Sequence, residues 1–543
     1  MADLGDATHW LRAQALSHLE TVVAIDSCSD PNSQTVPSSE GQRALTERLR
    51  TRFGDLGAEV EVDQFANLIA RYPGRGAGVN AAPIALMIHL DTAPGTVAVP
   101  TLSQHPNWGG DALTFAKNER LTVDEHHYPS LSAFRGHQLI HGPGDVPFGL
   151  DDKLGLTHLL SLATLLAGGA EAEALVGELD LPPVWLIGRP DEEIGRDDAL
   201  FGLAEKLSAA GVRRGYTIDG IDAFEVNVAN FFAAEAMVTL SEQGIERLPE
   251  GIPLTLTLGG VNTHGATAKA EGHRGAIRWL VELWRASRAE GVRLCDFKQD
   301  SGRECDGKLS LWAPDLAAAA KLRAATRDIV EVHIPRGASL RFEATEGGET
   351  VTQCADLGLE QLAGWLGECI WDRAPTEPLL AEDSEGWSGY SHPAGLTKST
   401  PHSSEAGQSE AGCWTLRWRL RDFEREALEG RARWIEAALA HLEGADAHFQ
   451  WRHQYENMGP RLAEAPELTN WACRAAERVG VEAKIQPIRG GTGINPFLDA
   501  GVLVANLGTG YFSPESEKEL TSLELMSAHA LWLLMLLNES LSQ

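Results

Sequence analysis

The chain has 543 residues, with 77 acidic against 46 basic side chains and a formal net charge of −31. That balance argues against a nucleic-acid-binding surface and against docking on an anionic membrane, both of which call for basic patches. Hydrophobic residues at 43% and charged residues at 23% allow a packed core and exclude wholesale disorder; at about 150 residues per domain the length predicts three or four domains.

In chain order, the N-terminal MADLGDATHWLRAQ lacks the basic flank and apolar segment of a secretory signal. An amphipathic helix follows, with Leu11, Ala15, Leu16, Leu19, Val22 and Val23 at helical spacing. The polar loop SCSDPNSQTVPSSEGQ leads into a second helix, ALTERLRTRFGDLG. EVEVDQF, NLIARYP and APIALMIHL read as strands, and the last, nearly all apolar, is expected at the centre of a sheet. Between Pro94 and Gly149 only short strands are expected. Residues 151–169 read as a helix with a charged start, PPVWLIGRP as a buried strand running into DEEIG, and RRGYTIDG as a strand ending in an acid. Strands that deliver His and acids at their C-terminal edges, with helices between, predict an α/β sheet with a site at its strand ends.

From about 232 to 455 the pattern changes. PLTLTLGG, GKLSLWAP, ASLRFEAT, WTLRWRLRDF and HFQWRHQ alternate apolar and polar residues between helical segments, the mark of an α+β region with one solvated sheet face. Residues 382–412 read as one long loop without periodicity. GVLVANLG then restores the buried-strand pattern. The expected organisation is a catalytic domain over 1–231 and 456–543, split by an inserted α+β domain over 232–455. No apolar run reaches the ~20 residues that span a bilayer. Seven scattered cysteines without a C-x-x-C predict neither a disulfide framework nor a thiolate metal site, which fits a reducing cytoplasm.

The residues able to do chemistry are His89, Asp91, Asp151, Glu192, Glu193, Asp219, His264 and Arg489. His89 and Asp91, two apart at a strand end, point the same way, and a metal-bound imidazole commonly gives its other N–H to a carboxylate. Singly, each acid has an ordinary reading: Asp151 a helix cap, Glu192-Glu193 a solvated turn, Asp219 a turn residue. Together, at successive strand ends, they point to a divalent metal: Zn²⁺, with Mn²⁺ or Co²⁺ as alternatives. A bound dication that acidifies water and polarises a carbonyl is suited to amide hydrolysis.

IHLDT, GLDDK, RPDEEIG, YTIDG, NTHGATAK, LRDFEREALEGR, YENM and QPIRGGT occur in an order that resembles the peptidase T family, tripeptide aminopeptidases of the aminoacylase/glutamate carboxypeptidase superfamily. VPSSEGQ shares the resemblance, and the enlarged middle is similar to that of aminoacyl-histidine dipeptidases. The resemblance implies a zinc-peptidase-type mixed sheet flanked by helices, with an inserted α+β, ferredoxin-like lid that serves in dimerisation. It implies two metal ions, with Asp151 bridging, His89 and Asp219 on one ion and Glu193 on the other. Asp91 would orient His89, Glu192 would be the general base, His264 would stabilise the oxyanion, and Arg489 would receive the substrate carboxylate of a short peptide.

The family's C-terminal metal-binding His has no counterpart here. The stretch is YFSPESEKEL, with Phe512 before Ser513-Pro514-Glu515, and Gly493 stands where an RGGTDG pattern has Asp. Three readings follow: Glu515 or Glu517 replaces the ligand, with His402 a further candidate; only one metal binds, as in an amidohydrolase of N-acyl or modified amino acids; or the protein binds without hydrolysing. Retention of Glu192 favours activity.

Overall fold

The computed structural model describes residues 5–177, 179–241, 243–299, 303–343, 353–372, 380–399, 413–442 and 444–542, so His402 lies outside the described residues. They form two compact units, Met1–Glu119 with Val123–Asn230 and Asn457–Gln543, and Phe231–Glu456 with Arg120–Thr122.

The first unit is built on an eight-stranded mixed sheet. Its order is Glu59–Val62, Leu68–Tyr72, Val184–Arg189, Ile84–His89, Arg214–Gly220, Leu503–Gly508, Glu225–Asn227 and Lys484–Gln486. The apolar Ile84–His89 strand lies inside the sheet with parallel neighbours on both sides, and His89 pairs in register with Arg189. Buried on both faces, such strands need no polar alternation, which is why they read as apolar runs. Their shared direction brings His89, the Asp191–Glu193 turn and Asp219 to one edge. The helix Leu150–Leu166 is buried along nearly its whole length and packs between Gly5–Val23 and Leu523–Glu539; a helix apolar all round belongs in a core. A small sheet joins Leu520–Ser522 to Leu139–His141 and Ser103–His105. The ends of the interrupting segment are tied by reciprocal bonds: Asn230 N–H donates to the Asn457 side chain (3.2 Å) and Met458 N–H to the Asn230 side chain (2.6 Å). Among the described residues no single helix is long and apolar enough to cross a membrane. All seven cysteines are free.

The second unit holds two four-stranded antiparallel sheets. In one, Ile252–Gly259, helix Ala276–Ser287, Arg293–Gln299, Gly307–Ala313, helix Leu316–Glu331 and Ser339–Glu343 follow in sequence. Taking these strands as first to fourth, the spatial order is second, third, first, fourth, the split βαβ arrangement of a ferredoxin-like fold. The other sheet uses Phe232–Ser241, Tyr390–Lys398, Cys413–Asp422, helix Arg425–Ala438 and Ala447–Tyr455, in the same spatial order. One ferredoxin-like unit is therefore nested in the first connection of another.

One expectation needs correction. The stretch 382–412, expected to be loop, contains the strand Tyr390–Lys398. Its register shifts between Pro393 and Gly395, a bulge that breaks the two-residue period and hides the strand from the sequence pattern.

Candidate metal centre

His89 is 2% exposed. Its Nδ1–H donates to the Asp91 carbonyl (2.9 Å), which turns Nε2 toward the acids, 3.0 Å from Asp151 Oδ1 and 3.8 Å from Asp219 Oδ1. The Asp91 carboxylate, 3.5 Å from Nδ1, makes its hydrogen bonds elsewhere. It accepts the amide N–H of Glu192 (3.0 Å) and of Glu193 (3.1 Å). Asp91 thus holds the backbone of the two glutamates.

The preceding residue, Asp191, sits at φ 57°, a conformation uncommon for a residue with a Cβ. It is held there from the N-terminal loop. Ser38 gives Asp191 its amide N–H (3.0 and 2.9 Å) and its hydroxyl (2.5 Å), and Gln42 Nε2 donates at 2.7 Å. This is what the VPSSEGQ segment does in the fold.

Asp151 and Asp152 have non-helical backbone angles, so the regular helix starts after them and Asp151 is no ordinary cap. Tyr511 donates its hydroxyl to Asp151 Oδ2 (3.0 Å), and His89 N–H donates to Asp152 Oδ2 (3.1 Å). The turn leading into Asp151 is fixed by Glu519, whose Oε2 accepts the amides of Phe148 (2.9 Å), Gly149 (2.9 Å) and Leu150 (3.4 Å). Burial pushes the Glu519 carboxyl up to about 8, against the pull of those amides.

Two overlapping sets offer ligand atoms within 4.8 Å of one another: His89, Asp151 and Glu193, and His89, Glu192 and Asp219. Burial raises the carboxyls of Glu192, Glu193 and Asp219 above their ordinary range; the charges of Glu515 and Asp151 add to the effect on Glu193. Glu193 Oε1 and Asp219 Oδ2 are buried without a hydrogen-bond partner. Buried carboxylates this close repel unless a cation compensates them, and the donor set of one imidazole and several oxygens suits a divalent ion. The chain supplies one cation itself. Arg189, fully buried, donates to the Thr492 carbonyl (2.6 Å) and lies 3.6 Å from Asp219 Oδ2.

Arg489 is buried at the head of the loop that contains Thr492 and Gly493. At Gly493 (φ +55°) an added Cβ would lie 2.5 Å from Arg189 Nη1 and 3.3 Å from Glu192 Cγ. The Asp of the family pattern has no room there while Arg189 is in place. Phe512 packs against Tyr128, with ring centroids 5.2 Å apart. Positive φ at Ser513 (59°) and Glu515 (53°) turns the chain, and it is Glu515 whose charge acts on Glu193. Glu517 is buried nearby in sequence. Glu515→Gln is therefore expected to lower metal occupancy, whereas Phe512→His is expected to leave it unchanged; metal per chain after gel filtration checks both. His264 belongs to the second unit, where Ala266 N–H donates to its Nδ1 (3.2 Å).

Sequence reasoning had missed Asp152, Asp191, Arg189, Tyr511 and Glu519. Asp191 opens the DEE run and Arg189 stands two residues before it, and that proximity is the available signal. Tyr511 and Glu519 carried none, because their partners lie 360 and about 370 residues away.

No family model matches the chain. It is 24% identical over 524 residues to peptidase T of Geobacillus thermodenitrificans, covering 95% of each chain. It is 26% identical over 520 residues to peptidase T of Vibrio parahaemolyticus, covering 94% of each. The structure of aminopeptidase PepT from Bacillus cereus superposes with a TM-score of 0.50 at 15% identity, covering 97% of this chain and 98% of that one, and shows the same fold. The resemblance carried by the short motifs thus extends over nearly the whole chain.

Proposed function

We infer that this chain is a metal-dependent hydrolase of short peptides, an aminopeptidase of the peptidase T kind. The observation that carries the reading is the pair of ligand sets sharing buried His89. His89, Asp151, Glu193, Asp219 and Glu515 would hold one or two divalent ions, Zn²⁺ first, Mn²⁺ or Co²⁺ as alternatives. A bound dication there lowers the pKa of water toward about 7 and polarises the scissile carbonyl.

The chain's own residues supply the rest. Glu192, held through its amide by Asp91, takes a proton from the attacking water and returns it to the leaving amine. Asp91 fixes Glu192 and Glu193 and, through its carbonyl, the His89 tautomer. Arg489 receives the peptide carboxylate. His264 accepts a hydrogen bond at Nδ1, so its proton sits on Nε2, the form able to donate to an oxyanion. The inserted unit serves as a lid and as the contact of a homodimer, a reading supported by the mostly exposed edge strand Ala447–Tyr455. The location is cytoplasmic, and the partners include neither nucleic acid nor membrane.

The test is hydrolysis of a tripeptide panel with free and blocked N-termini in added Zn²⁺, Mn²⁺ or Co²⁺. Cleavage confined to free N-termini is expected. Equal cleavage of blocked substrates would make the protein an amidohydrolase, and no cleavage with any metal would leave a binding protein.

A further inference from the structure

Another group of ligand-type side chains lies wholly inside the second unit. His273, Glu304 and His392 offer ligand atoms within 4.8 Å of one another. They come from separate segments: His273 precedes the helix Ala276–Ser287, Glu304 lies between the strands Arg293–Gln299 and Gly307–Ala313, and His392 is on Tyr390–Lys398. The two histidines are 6% and 5% exposed.

Each imidazole has an oxygen facing Nδ1. Thr263 Oγ1 is 3.1 Å from Nδ1 of His273, and Glu382 Oε2 is 3.7 Å from Nδ1 of His392. On the other side, His273 Nε2 is buried without a hydrogen-bond partner, and His392 Nε2 lies 2.8 Å from Glu304 Oε1. Imidazoles that ligate metal through one nitrogen use the other to bond an oxygen, which sets tautomer and ring orientation. The Thr263 hydroxyl engages His273 through Nδ1, which leaves Nε2 facing the cluster. Burial, reinforced by His392, holds the His273 imidazole down to about 3, so it is a neutral ligand at neutral pH. Against its burial, Arg419 and His392 hold Glu304 down to about 2, so it is anionic.

We propose that His273 Nε2, His392 Nε2 and Glu304 bind a divalent transition-metal ion, Zn²⁺ by preference, independent of the acid cluster. Two imidazoles and one carboxylate are zinc-type chemistry, with a fourth position left for water. On binding, the His392 proton shifts from Nε2 to Nδ1, the nitrogen that faces Glu382 Oε2 across 3.7 Å. Arg419 remains on Glu304 and orients it. Because His273 and Glu304 belong to the inner ferredoxin-like unit and His392 to the outer one, the ion clasps the two together.

The experiment counts zinc on the full-length chain after chelation, reloading with Zn²⁺ and gel filtration. Asp151→Asn/Asp219→Asn dismantles the acid cluster and is expected to retain one zinc per chain. Adding His273→Ala and His392→Ala is expected to remove it, with the circular dichroism spectrum unchanged. Should the histidine variants fail to fold, Co²⁺ loaded on the Asp151→Asn/Asp219→Asn chain is expected to show the visible absorption of a four-coordinate nitrogen–oxygen site. No zinc retained on that chain, no such absorption, or a zinc count indifferent to the two histidines overturns the proposal. None of these readouts depends on peptide hydrolysis, so their failure leaves the proposed function standing.

Discussion

Glu192→Gln is expected to lower kcat by about 10²–10⁴-fold, the range of a lost general base, while metal per chain and the melting curve stay unchanged. The substitution keeps shape and removes only the ability to take a proton. Asp91 binds the backbone amide of residue 192, so the turn is held whichever side chain is present. The split between activity and metal content is the informative part, because Glu192 also lies within ligand reach of His89 and Asp219. Loss of metal together with activity would make Glu192 a ligand. Unchanged kcat would remove it from the reaction. Metal analysis alongside steady-state kinetics on a free tripeptide distinguishes the three.

Glu519→Ala carries the second large expectation, a loss of about 3 kcal/mol in stability. Its Oε2 satisfies the amides of Phe148, Gly149 and Leu150, and a buried donor left without a partner costs about 1–3 kcal/mol. The same turn leads directly into Asp151, so metal occupancy is expected to fall with stability. Glu519→Gln keeps one oxygen for the three amides but turns its –NH₂ to the Glu515 amide that now donates to Oε1. It is expected to cost about 1 kcal/mol. Urea denaturation of the two variants, with zinc counted at the same preparations, checks the ranking. Equal stability of Glu519→Ala and the parent would show that water replaces the carboxylate.

The strand-end acids were legible because apolar runs stop abruptly at His or acid: IHLDT, LIGRPDEE and YTIDG each mark the edge of a buried parallel strand. The residues that set those acids in place were not, since their bonds are long-range in sequence; Ser38 to Asp191 spans 153 residues. Arg189 reads in sequence as an ordinary charged strand end, and only the packing shows it enclosed beside Asp219. The C-terminal candidate ligand, Glu515, is less plain in the sequence. Counting from Ser-Pro-Glu puts Phe512 in the slot, but the left-handed turn at Ser513 and Glu515 re-aims the chain, and backbone handedness at non-glycine residues leaves little trace in composition. The inserted unit was legible as α+β from its alternating strands, while the bulge at Pro393–Gly395 erased the period of one of them.

The nested arrangement of the second unit bears on how the chain reaches its native state. The outer sheet must join Phe232–Ser241 to Cys413–Asp422 and Ala447–Tyr455 across more than 150 residues, a closure that an unfolded chain meets only at an entropic cost growing with loop length. The inner sheet needs only contacts within Ile252–Glu343. Local contacts form faster than distant ones, so the inner unit is expected to assemble first and shorten the effective loop that the outer one must close. Pulse-labelled hydrogen exchange during refolding would then show the amides of Leu254, Leu256 and Leu309 protected before those of Val238 and Leu416.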